Sequence, residues 1–171
     1  MPENNLQQLR TKIIYEYNAL LTLQDPQTGL RLGPIFANIP PAKEVPGYYD
    51  MIKYPITFAI LKEKLLNYVN IIQWIVDIAF LPWNTKKYYG PQSDHYRFAD
   101  VIETHLRTVM IPRLRNYYPN IVYPDLDALI QQQLEQQKNQ QLQQLQKEQE
   151  EREQQHKQQQ LQQEDYVQND Y

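Results

Sequence analysis

Four prolines within twenty residues keep any regular helix out of the stretch FANIPPAKEVPGYYDMIKYP, Phe36 to Pro55. Each of Pro40, Pro41, Pro46 and Pro55 removes a backbone donor and pushes the residue before it out of the helical region. The same stretch carries a tyrosine pair, Tyr48 and Tyr49, and apolar residues that a solvent loop has no reason to hold. Long loops inside compact domains are uncommon and usually exist to bind something. The chain is therefore expected to be a scaffold in which this loop shapes a pocket at one end.

The flanks supply the scaffold. Leu6, Leu9, Ile13, Tyr17, Leu20 and Leu21 recur at helical spacing behind Asn4 and Asn5, which are expected to cap a first helix. Asp25-Pro26 and Gly29 end it. Thr57 caps a second helix bearing Leu61 and Leu65 that ends near Asn67-Tyr68. Asn70 caps a third with Ile71, Trp74, Ile75, Ile78 and Ala79 inward, and Pro82 is expected to bend or stop it. Asn84 to Gln92 reads as a short loop. Ser93 or Asp94 opens a fourth helix with Phe98, Val101, Ile102, Leu106 and Val109 inward, which Pro112 bends or ends. Asn116 to Asp125 reads as an extended strap, and a further helical segment starts near Asp125 with Leu126, Leu129, Ile130 and Leu134 on one face. The expected fold is an all-α, up-and-down four-helix bundle. The expected divisions are 1–24 for the first helix, 25–56 for the loop and 57–115 for the other three helices. Residues 116–130 form the strap and short helix, and 131–171 a Gln-rich tail.

Charge separates the tail from the rest. It holds 4 of the 17 basic and 8 of the 20 acidic side chains, so the first 130 residues keep 13 basic against 12 acidic. Nucleic-acid binding scales with the phosphates neutralised, so a near-neutral body argues against strong nucleic-acid binding. The absence of cysteine excludes disulfides and thiolate metal sites. The polar opening MPENNLQQLR does not read as a secretory leader. The apolar run Ile71 to Trp83 is too short to span a membrane and contains Gln73 and Asp77. A soluble intracellular protein is expected. Leu142, Leu145 and Leu161 do not sustain heptads, so the tail reads as a flexible or partly helical linker, with Gln-rich association as the alternative.

Enzyme chemistry finds no constellation. Ser93 is the only serine and lies in no GxSxG motif. His95, His105 and His156 lack metal-ligand spacing, and Gly29, Gly33, Gly47 and Gly90 cannot build a phosphate-cradling loop. Neither catalytic residues nor a metal nor a cofactor is expected. Binding fares better. In an up-and-down bundle the loops after the first and third helices open at the same end, so the pair Tyr48-Tyr49 and the pair Tyr88-Tyr89 can converge on one cavity. Such a cavity suits a neutral ligand with an apolar stem and one polar head. The plainer alternative is that the tyrosines only close the core. That is the reading taken for Tyr49, whereas Tyr48 and Tyr88 are read as pocket residues.

The segment PGYYDMIKYPITFAILKEKL, Pro46 to Leu65, resembles the bromodomain signature, in which a Pro-x-Tyr-Tyr segment leads through a second proline into the second helix. The resemblance runs on across Asn84 to Tyr89 and Ser93 to Ala99, and covers about Leu6 to Leu114. The continuation Ile111 to Leu126 is similar to the double-bromodomain subunits of the fungal RSC chromatin remodeller. The resemblance implies a left-handed four-helix bundle that binds acetyl-lysine on histone tails or other acetylated nuclear proteins. It also implies a nuclear location and, as partners, other subunits of a chromatin-remodelling complex. By position, Phe36 resembles the family's shelf phenylalanine and Val45 a wall residue. Tyr48 resembles the tyrosine that reaches the acetyl carbonyl through water. Tyr88 is the aromatic before the anchoring asparagine. The sequence departs at the anchor: Tyr89 stands at the asparagine position and His95 at the gatekeeper, while Asn84 matches a separate, structural asparagine. An amide offers two donors in a compact group and Tyr89 one hydroxyl on a large ring. Two outcomes follow: weakened or unusual acetyl-lysine binding, or a degenerate module kept only for protein interaction.

Overall fold

The computed structural model describes residues 3–168, with side chains over 5–154 apart from Gln137. It divides into two units, residues 1–126 and 127–171. In the first, α1 (Glu3–Leu21) buries Leu9, Ile13, Tyr17 and Leu20. Asn4 and Asn5 lie inside this helix, so neither is the cap expected of it. Glu16 is also fully buried on α1, where its carboxylate meets the Arg113 guanidinium through two contacts of 2.9 Å.

A tight turn reverses the chain after α1. Gln24 and Arg31 form an isolated antiparallel bridge, Gly29 takes φ +72°, and the buried Asp25 carboxylate accepts from the Thr28 amide at 2.9 Å. Only glycine holds such a φ without strain. Gly33 answers a different constraint, since a Cβ there would sit 2.5 Å from the Leu21 carbonyl oxygen. The loop thus begins pressed against the end of α1. It contains two single helical turns, α2 (Leu32–Ile35) and α3 (Tyr48–Met51), the second entered through Gly47 at φ +73°. Backbone bonds from Phe58 to Phe36 and from Ala59 to Ala37, both 3.0 Å, tie its start to the next helix.

The capping expected from the sequence is present for the next three helices. Thr57 accepts from the Ile60 amide at 3.2 Å ahead of α4 (Phe58–Lys64), and Asn70 from Gln73 at 3.0 Å ahead of α5 (Ile71–Tyr88). Ser93 accepts from Tyr96 at 3.1 Å ahead of α6 (Asp94–His105). The stop allowed for at Pro82 does not occur. α5 runs through Pro82 to Tyr88 without a stop, and Pro82 is itself buried. The missing backbone donor is outweighed by a helix whose Trp74, Ile78, Phe80 and Leu81 are all at most 1% exposed. The loop expected from Asn84 shrinks accordingly to the residues after Tyr88. Beyond α6 the rod passes through a π-helical turn, Leu106–Met110, into α7 (Ile111–Tyr117), with Pro112 in the first turn. A π turn inserts one residue into the helical count. Val109 therefore faces outward, 41% exposed, and Met110 takes the inward place expected of it.

Trp74 centres the bundle, with the rings of Tyr17 and Tyr68 edge-on at 6.4 and 5.7 Å. Lys86 stitches α5 to α6 by pairing with Asp100 and Glu103 at 2.6 and 2.7 Å. The strap after α7 is fixed by the Tyr123 hydroxyl, which donates to the Leu114 carbonyl at 2.9 Å. The all-α bundle is the fold expected.

The described part of the second unit is one helix, α8 (Leu126–Gln168), where a flexible or partly helical linker was expected. It is polar nearly all round, and Leu142 and Leu145 are exposed. Pairs four residues apart, such as Lys147 with Glu151 at 3.9 Å, are the kind that support a solvated helix. Among the described residues no helix is long and apolar enough to cross a membrane.

Candidate binding pocket

The long loop lies beside the α5–α6 turn and borders an open pocket of about 50 Å³. Phe36, Tyr48, Tyr89 and His95 are among its lining residues. Phe36 is placed by the backbone pairing with α4, Tyr48 by the turn that Gly47 starts, and Tyr89 by its amide bonding the Thr85 carbonyl at 2.8 Å. His95 stands in the first turn of α6, behind the Ser93 cap.

Val45 and Tyr88 are not in the lining. They pack with Tyr48 and Ile52 in a small cluster that forms one wall. The Tyr88 hydroxyl donates to the Pro46 carbonyl at 3.0 Å, and its ring meets Tyr48 edge-on at 5.1 Å and Tyr89 at 4.9 Å. This strut fixes the tyrosine corner from outside. Tyr49, read from sequence as closing the core, is 53% exposed. Only the edge of its contact with Tyr48, at 5.4 Å, touches the corner. In a single helical turn, neighbouring side chains diverge by about 100°.

One side of the pocket is aromatic. The Tyr89 and His95 rings stack at 4.3 Å between centroids and 11° between planes, and His95 in turn leans on the buried Phe98 at 6.3 Å. Ligand pockets for whole small molecules measure about 300–1,000 Å³, whereas a water occupies about 30 Å³. At about 50 Å³ the pocket lies well below that ligand range.

Several lining residues were not named from sequence. Ile35, Asn38, Ile39 and Pro40 come from the loop's start, Ile56 and Thr57 from its end, and Thr85 from α5. Thr85 had a usable signal, being four residues before Tyr89 on a helix and so on the same face. Its hydroxyl is already spent, donating to the Leu81 carbonyl at 2.9 Å. Thr57 is engaged as the α4 cap. Lining donors without a protein partner among the described residues include the Tyr48 and Tyr89 hydroxyls, the His95 imidazole and the Asn38 amide, Asn38 being exposed. Burial, reinforced by Tyr49 and Tyr89, pushes the Tyr48 phenol up to about 12, and burial followed by Tyr88 raises Tyr89. Both therefore stay protonated donors at neutral pH. A neutral ligand carbonyl is what such donors match.

Asn84 has a different task. It is buried on α5, and its amide donates to the Tyr54 carbonyl at 2.6 Å, tying down the end of the long loop. Among the described residues no cluster of His, Asp and Glu could hold a metal ion.

Comparison with known proteins agrees with this geometry. The bromodomain family profile matches residues 23–101. The chain is 40% identical over 114 residues to the chromatin structure-remodeling complex subunit RSC2 of Saccharomyces cerevisiae, covering 67% of this chain and 13% of that protein. It is 33% identical over 114 residues to subunit RSC1 of the same yeast, covering 67% and 12%. Subunit rsc1 of Schizosaccharomyces pombe is 29% identical over 85 residues, covering 48% and 11%. The chain thus spans about an eighth of the length of these curated relatives. Its helical bundle and its long pocket-forming loop carry a bromodomain.

Proposed function

We propose that this bromodomain is a non-enzymatic module of a nuclear chromatin-remodelling subunit, one that recognises acetyl-lysine on a histone tail or another nuclear protein weakly. The remodelling assignment rests on the likeness to the two yeast chromatin-remodelling subunits. The ligand assignment rests on one observation above the rest: an aromatic pocket lined by Phe36, Tyr48, Tyr89 and His95 whose uncommitted donors include two neutral hydroxyls. Acetylation removes the lysine charge and leaves an apolar stem ending in an amide carbonyl. Phe36 and the loop supply the apolar sleeve, and the Tyr48 and Tyr89 hydroxyls the donors. Weakness follows from the same residues. Tyr89 sets a large ring beside the pocket where an asparagine would be compact, and one hydroxyl replaces two amide donors at a cost of about 1 kcal/mol for a lost hydrogen bond.

The small cavity also favours a second reading, in which the bundle is kept only as a protein-interaction module. Calorimetric titration of the full chain with acetylated and unmodified histone-tail peptides separates the two. Weak binding confined to the acetylated peptide supports recognition. Equal or absent heats with both peptides sink it and leave the structural module.

A further inference from the structure

We propose that an open groove between the first half of α1 and the end of α7 is a docking site for an acidic peptide segment of a partner protein. The site shares no residue with the loop pocket, and the proposal does not rest on the acetyl-lysine reading.

The groove measures about 400 Å³, inside the roughly 300–1,000 Å³ of ligand sites. Gln7, Gln8, Thr11 and Lys12 line it from α1, where spacings of three and four residues put them on one face, and Tyr117 and Tyr118 line it from α7. None of the six is acidic. The Lys12 ammonium lies over the Tyr117 ring, 3.6 Å from its centre, and has no carboxylate partner among the described residues. Held there, it gives up less side-chain freedom on pairing than a free lysine would. The surrounding charge has the same sign. Over the described side chains of α1 and α7, the cations Arg10, Lys12, Arg113 and Arg115 face a single carboxylate, Glu16. Glu16 is fully buried and spent on Arg113 at 2.9 Å. The first 130 residues are close to neutral as a whole, so this positive excess is local.

The complement to such a groove is an anion, and its hydrogen-bonding groups suit a peptide. The exposed Gln7 and Gln8 amides each offer donors and an acceptor to a peptide backbone. The Thr11 hydroxyl donates to the Gln7 carbonyl at 3.0 Å and is left as an acceptor for a peptide N–H. At the end of α7 the Leu114 carbonyl is taken up by the Tyr118 amide and the Tyr123 hydroxyl, both at 2.9 Å, so it does not repel an incoming carboxylate. A nucleic acid fits less well. Its binding grows with the phosphates neutralised, and the groove lining holds one cation. The tyrosines on which bases would stack already carry Lys12 on Tyr117 and Arg113 on Tyr15.

The test is an NMR titration of the full chain with a capped peptide of alternating glutamate and glycine. A lysine-and-glycine peptide of the same length and a short DNA duplex serve as the other arms. The acidic peptide should move the backbone amides of the groove residues, and the basic peptide should leave them in place. Lys12→Gln should weaken binding about three- to tenfold, the size of one charge-assisted contact at a half-exposed site, and Lys12→Arg should keep it. The same spectra show whether each variant is folded. No movement at the groove, equal movement with the basic peptide, or binding indifferent to Lys12→Gln would overturn the proposal. Tighter binding of the DNA duplex at the same amides would overturn it too, by giving the groove to nucleic acid.

Discussion

Two tyrosine-rich corners of this bundle use the same side chain to opposite ends. At one, the Tyr54 and Tyr68 hydroxyls donate to the two oxygens of the buried Asp77, each at 2.8 Å, and Lys64 pairs with the same carboxylate. Their rings are packed as firmly, Tyr54 against Phe80 at 4.9 Å and Tyr68 against Trp74 at 5.7 Å. At the other, Tyr48 and Tyr89 border a pocket, and neither hydroxyl has a protein partner among the described residues. Buried polar groups are normally satisfied, and an unspent donor beside a cavity is what a binding site keeps in reserve. The comparison teaches that the aromatic count alone does not mark a site. What the hydroxyls do marks it.

The comparison is broken most severely from the satisfied side. Trp74→Ala removes a fully buried ring from the contact with Tyr17 and Tyr68 and should cost about 3–5 kcal/mol in urea unfolding, enough to lose the fold in a marginal background. Asp77→Ala should cost about 3 kcal/mol, because it strands two phenol hydroxyls and an ammonium; Lys64, a third exposed, can reach water and contributes the smaller share.

Alkaline unfolding sharpens the contrast. Burial first and Asp77 second raise Tyr68 well above the ordinary tyrosine value, and burial raises Tyr48 to about 12. The unfolded chain releases these protons near pH 10 while the folded chain retains them. Stability should therefore fall as pH rises above about 10, most steeply through Tyr68. Tyr68→Phe and Tyr48→Phe should each flatten that decline, seen as a smaller loss of urea midpoint between pH 9 and pH 11, both about a unit from the reference value. At pH 7 the two differ. Tyr68→Phe loses a bond to a charged acceptor and should cost about 1.5–3 kcal/mol. Tyr48→Phe loses no protein hydrogen bond and should change stability by less than about 0.5 kcal/mol.

Much of this was legible in the chain. Thr57, Asn70 and Ser93 read correctly as caps because capping is local, and the helices they start carry a strong period. Long-range pairing was not legible. Glu16 sits on the inward face of α1, and its partner Arg113 lies 97 residues away, a match no window of sequence can contain. Pro82 looked like a helix breaker because its cost is local while the burial that outweighs it is tertiary. The π turn moved Val109 outward and Met110 inward, since a one-residue insertion in the helical count leaves no trace in composition. At the pocket, Phe36, Tyr48, Tyr89 and His95 could be named through the family pattern. Ile39 and Pro40 could not, since a loop has no period to assign a face. The spent hydroxyls of Thr85 and Thr57 became visible only with the bonds they make.

The central claim is that Tyr89 lines the pocket with its ring lying on His95. Nuclear Overhauser contacts in the unliganded full chain test it directly. The account predicts cross-peaks from the Tyr89 ring protons to the His95 ring. A Tyr89 ring that shows no such contacts, with the His95 ring likewise free, would contradict it.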